Sequence, residues 1–120
     1  VMGLSAGGVL AAWLAQNRPD VDYAMPLAAC LGISFVPAWL TRPLINLLLA
    51  LPDQFVWWDP RTKENNPYSV YFAYTRYPRH ALLRFMRTGM LVLHQARRAT
   101  PAGGRILMIT NGAEPGVNTP

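Results

Sequence analysis

Val1-Met2-Gly3-Leu4-Ser5-Ala6-Gly7-Gly8, running into Val9-Leu10-Ala11-Ala12-Trp13-Leu14-Ala15, is the stretch from which the rest of the chain can be read. Two apolar residues lead into Gly-x-Ser-x-Gly, and an apolar segment of helical length follows. That order describes the tail of a buried strand, a sharp turn and a helix. Glycines at Gly3 and Gly7 suit a turn so tight that flanking side chains would collide with the neighbouring strand and helix. Ser5 between them is expected in a strained backbone geometry that pushes its hydroxyl outward. The amide of Ala6, at the start of the helix, points to the same place and can stabilise an anion there. The plainer alternative is a glycine-rich turn in which Ser5 is only the helix N-cap.

The 120 residues suffice for one small domain, although the chain opens on Val1, within the strand that carries the serine. It therefore reads as a fragment, with Pro120 an equally arbitrary stop. The net charge is +5, from ten Arg and one Lys against six acids. These cations are scattered from Arg18 to Arg105 and not gathered on one face with aromatics, so a solvated surface is expected and a nucleic-acid partner is not. Cys30 is the sole cysteine, which leaves no disulfide framework and no thiolate metal site in this sequence. A reducing cytosol is the favoured compartment. No metal is expected, because neither His80 nor His94 has ligand spacing with a carboxylate.

Along the chain, Val9–Gln16 is expected to be helical and to end at Asn17-Arg18-Pro19-Asp20. Tyr23–Ala28 is expected to be a buried parallel strand, with Pro26 as its blemish or its end. Leu31–Trp58 is strongly apolar. A membrane span needs about 20 apolar residues, but Arg42-Pro43 cuts this run, so two short helices or one kinked at Pro43 fit better. Asp53–Pro78 is loop-like and rich in aromatic rings, suited either to lining an apolar acyl pocket or to packing beneath a lid. Arg79–Arg98 is an amphipathic helix, with Leu82, Phe85, Met86, Gly89, Leu93 and Ala96 on its apolar face. Arg105–Thr110 is a strand, and Glu114 lies in the loop beyond it, at the strand end where open α/β sheets gather ligands.

Taken together, Gly3-Leu4-Ser5-Ala6-Gly7 and Ile106–Asn118 resemble the nucleophile and acid segments of the α/β-hydrolase superfamily. The likeness is to the later part of the capped serine esterases, lipases and peptidases. The resemblance implies an α/β fold: part of a hydrolase parallel sheet with an inserted helical cap. It divides the chain into 1–30 (turn, helix and next strand), 31–78 (cap) and 79–120 (helix, strand and acid loop). It also implies Ser5 as nucleophile, Glu114 as triad acid, the Ala6 amide as one oxyanion donor, and no cofactor. The family's histidine follows the acid, so His80 and His94 do not match. It is expected roughly 20–35 residues beyond Glu114, after one more helix and strand. The second oxyanion donor lies upstream in that family. The implied reaction is acyl transfer from a small, apolar ester, thioester or amide. One rival is a hydrolase-fold binding protein without catalysis. Another is a membrane-associated helical protein using Leu31–Trp58 and the arginines.

Overall fold

A computed structural model describes residues 1–32, 36–57 and 74–110. In chain order the elements are β1 (Met2–Leu4), α1 (Ala6–Asn17), β2 (Tyr23–Leu27), α2 (Ala38–Ala50), β3 (Phe55–Trp57), β4 (Arg76–Pro78), α3 (Arg79–Ala96) and β5 (Arg105–Ile106). The strands β1, β2 and β5 form a parallel sheet in the order β1-β2-β5. Met2 pairs with Met25 and Leu4 with Leu27 on one side, and Tyr23 with Arg105 on the other. This is an α/β protein.

Pro26 sits inside the central strand, fully buried, and does not end it. The alternation of ladder bonds explains how it is tolerated. The even-numbered residues of β2 face β5: the Leu107 amide donates to the Ala24 carbonyl at 2.9 Å and the Ile109 amide to the Pro26 carbonyl at 3.0 Å. Pro26 has no N–H to return, so one bond of this ladder is missing. Regular pairing of β5 stops at Ile106, short of the Arg105–Thr110 expected, and resumes as a single bridge between Leu27 and Ile109.

Helices α1 and α3 lie against one another and build the core with the segment that follows β2. Val9, Ala12, Ala29, Cys30, Leu31 and Val92 are its buried members, with Trp13, Met86 and Leu93 packed on them. The small residues of α1 let it lie close to the sheet. Gly89 does the same for α3, since a Cβ there would come within 2.6 Å of the Cys30 carbonyl oxygen. The buried line of α3 is Leu83, Gly89 and Val92, and Ala96 is exposed. The face read from periodicity is therefore largely kept, with Gly89 at its centre and Met86 and Leu93 packed on the core, and it widens to take in Leu83 and Val92.

α2 is one continuous helix with Pro43 inside it. Pro43 stands on the exposed side, so the Trp39 carbonyl that loses its donor is not trapped in the core. The buried hydroxyl of Thr41 donates to the Pro37 carbonyl at 3.0 Å. The ends of the stretch expected to be a loop are instead an antiparallel pair, β3 with β4, in which Val56 faces Tyr77. This pair brings the end of α2 to the start of α3. Trp58, Tyr68, Tyr71 and Phe72, among the rings expected to line a pocket or lid, lie outside the described residues.

Candidate functional site

β1 delivers the chain to Ser5 and α1 carries it away. The backbone there has φ 53° and ψ −113°. A left-handed φ at a residue with a side chain costs on the order of 1–3 kcal/mol and persists only where its surroundings hold it. Two bonds hold this one. The Ser5 amide donates to the Leu27 carbonyl at 2.9 Å, extending the β1–β2 ladder by one residue, and the Ser5 carbonyl accepts from the Val9 amide at 3.1 Å. Ser5 occupies the N-cap position, but its hydroxyl makes no capping hydrogen bond. Ordinary capping serines have extended backbone and bond a first-turn amide. Ser5 does neither, and it is solvent-exposed.

The glycine requirement is real but differently placed. A Cβ on Gly3 would stand 2.1 Å from the Gly7 carbonyl oxygen, so only glycine fits at Gly3. Around Gly7 there is open space, and no side chain is excluded. The second tight position is Gly8, where a Cβ would lie 3.0 Å from both the Gly3 and Leu27 carbonyl oxygens. The Gly7-Gly8 doublet carried this signal, but the five-residue motif stops one residue short of it. Ala6 is the first residue of α1, so its amide has no acceptor within the helix and points out of the N-terminus.

Ser5 stands at the carboxyl edge of the sheet beside two other strand ends. Ala28, directly after β2, also has a left-handed φ, 41°, and its amide donates to the Ile109 carbonyl at 2.7 Å. Nothing in the sequence marked Ala28. Three chain segments therefore leave the sheet together at Ser5, Ala28 and Ile109. With strands about 4.8 Å apart, the first and third are separated by roughly 10 Å. Glu114 lies outside the described residues.

Of the two histidines, His94 lies away from this edge. His94 is exposed in the last turn of α3, next to Gln95, whose side-chain amide donates to the Asn17 side-chain carbonyl at 3.1 Å at the far end of α1. Twelve helical residues, about 18 Å, separate that end from Ser5. His80 opens α3 and is engaged elsewhere. Its ring Nε2 is 2.9 Å from the Leu51 carbonyl oxygen, and its amide donates to Asp53 Oδ1 at 2.9 Å. Its neighbour Arg79 donates from the guanidinium to the Pro52 carbonyl and from the amide to the Gln54 carbonyl. Four successive residues, Leu51 to Gln54, are thereby fastened to the first turn of α3. Asp53 caps that helix from a distance, where Pro78 has no side chain to do so. The His80 amide hydrogen bond lowers the Asp53 pKa, opposed by desolvation and assisted by the Gln54 amide.

Among the described residues no three His, Cys, Asp or Glu side chains gather in a way that could hold a metal ion. None of the helices described is long and apolar enough to cross a membrane.

The fold and its strained carboxyl edge define the class: a small α/β protein with a three-stranded parallel sheet and helices packed on it. Comparison with protein-family models, with curated proteins and with solved structures found no match.

Proposed function

We propose that this chain is the nucleophile-bearing part of an α/β-hydrolase-type serine hydrolase, acting on an apolar ester, thioester or amide through an acyl-enzyme. The observation that carries the reading is the backbone of Ser5, left-handed between a parallel strand and a helix N-terminus, with its hydroxyl exposed and free of capping duty. A simple helix cap has no need of that strain. A nucleophile does, because the same geometry lifts Oγ clear of the sheet and brings the Ala6 amide alongside.

In this reading Ser5 Oγ attacks the acyl carbon while a histidine takes its proton, and the carbonyl oxygen becomes an anion facing the Ala6 N–H. Collapse of that intermediate expels the leaving group, which receives the proton from the histidine. Water then repeats the sequence and frees the acid. Glu114 holds the histidine tautomer. The roughly 10 Å between the first and third strands is a span that an imidazole placed between serine and acid fills. The order of that family places the base after the acid, and His80 and His94 both precede Glu114. In this reading α2, β3 and β4 belong to its cap.

The test uses the full-length natural protein and a fluorophosphonate probe, which needs both an activated hydroxyl and an anion pocket. The wild type is expected to label and Ser5→Ala to lose both labelling and turnover. Continued labelling of Ser5→Ala at another serine would reduce the turn to a structural role. A second reading, a hydrolase-fold binding protein without turnover, is favoured by the engagement of His80 with Leu51 and Asp53 and by the place of His94 toward the far end of α1. A well-folded wild type that never labels would establish it.

A further inference from the structure

α2 is apolar on both sides, and only one side is covered. Thr41 and Ile45 are buried, with Leu44 and Leu48 half-buried beside them, where the helix meets the body of the protein. On the opposite arc, Trp39 is 77% exposed and Leu47 62% exposed, with Leu40 and Pro43 between them. Past the helix end, Leu51 and Phe55 are exposed as well. A helix that is apolar all round belongs against a second low-dielectric phase. At 13 residues α2 is about 20 Å long, too short to span a bilayer about 30 Å thick.

We propose that this strip of α2 docks in the plane of an anionic lipid surface. Charge chooses the occupant. The helix has no acidic residue, and its one charged residue, Arg42, lies exposed at the margin of the strip. The only acid in the turn that follows, Asp53, is occupied in capping α3. Beyond the helix end the Arg76 guanidinium lies over the exposed Phe55 ring, 5.1 Å from its centre, so a second cation accompanies exposed apolar surface. Tryptophan flanked by leucine on one face, with arginine at the rim, is the composition that settles at the headgroup boundary. A second copy of this chain would bring one +5 body against another, whereas an anionic bilayer attracts it.

The surface stands independently of Ser5, and its test does not use activity. The full-length protein is sedimented with vesicles of phosphatidylcholine alone and of phosphatidylcholine mixed with phosphatidylglycerol. Binding is expected to the anionic vesicles, to weaken with salt, and to be much weaker on the neutral ones. The pair Trp39→Ser and Leu47→Ser removes two exposed side chains, so circular dichroism should be unchanged while affinity falls about tenfold or more. Arg42→Glu should weaken binding to anionic vesicles alone. Vesicle binding unaltered in the serine pair, or no binding by a folded wild type, overturns the proposal. So does self-association in sedimentation velocity that the serine pair abolishes, which would assign the strip to a second copy.

Discussion

Gly3, Gly7 and Gly8 look alike in the sequence, but the structure gives them different consequences. Gly3→Ala drives a Cβ into the Gly7 carbonyl at the point where strand and helix cross. It is expected to cost on the order of 3 kcal/mol in chemical denaturation, near the upper end of the range for overpacking. Gly8→Ala meets two carbonyls at marginal distance and should destabilise less. Gly7→Ala has open space and lies within α1, so it is expected to be neutral or stabilising by up to about 1 kcal/mol. Equal losses at Gly3 and Gly7 would show that the turn is not packed as described. These substitutions also separate the packing of the turn from its chemistry, since Ser5→Ala removes only an exposed hydroxyl and should leave the denaturation midpoint almost unchanged.

α3 depends on two unrelated devices along its length. At its start, Asp53 supplies the cap that Pro78 lacks, and that carboxylate sits below its ordinary pKa. A lowered folded pKa means that the native state binds the carboxylate's proton less readily than the unfolded chain does. The stabilisation is therefore complete above the ordinary carboxylate value of about 4 and is lost as pH falls through the lowered one. Asp20, paired with Arg18 at 2.8 Å and held at about 2, behaves the same way. Asp53→Ala should speed hydrogen exchange at the His80 amide and flatten the acid limb of the stability curve. An unchanged His80 amide would show that the helix start is held by Arg79 alone. Further along, Gly89→Ala is expected to push α3 off Cys30 and Leu31, costing about 1–3 kcal/mol as an overpacked helix crossing.

A sheet seen as a whole makes demands that no single strand reveals. Parallel sheets are normally covered on both faces, and here α1 covers the face of Ala24 and Pro26. Met2 and Leu4 are exposed, and Leu107 and Ile109 remain half open on the third strand. A polypeptide of these 120 residues is therefore expected to bind an apolar dye such as ANS. It should also fail to hydrolyse a p-nitrophenyl ester, because His94 lies toward the far end of α1 and His80 is held by Leu51 and Asp53. Robust hydrolysis by that polypeptide, abolished by Ser5→Ala, would overturn the assignment of the base to a histidine after Glu114.

Local pattern was enough to read the order of the central elements. The Gly3–Gly8 turn, the helix after it, the buried strand at Tyr23 and the long helix from Arg79 all rest on short-range signals: hydrophobic period, glycine at a turn, proline at a helix start. Those forces act within a few residues of chain. Tertiary contact decided the rest. Pro26 reads either as a blemish within the strand or as its end, and the sheet decides for the first, because the cost of its missing N–H depends on which neighbour it faces, here Leu107. The face of α3 follows its period, but which of its residues are buried deepest, Leu83, Gly89 and Val92, was decided where the helix meets α1 and the Cys30–Leu31 backbone, and periodicity cannot see where a crossing falls. The same holds for the link of Leu51–Gln54 to Arg79 and His80, whose partners stand more than 25 residues apart. The candidate serine could be picked out from its motif. Its left-handed backbone, and the Leu27 carbonyl that holds it, exist only once β1 lies beside β2.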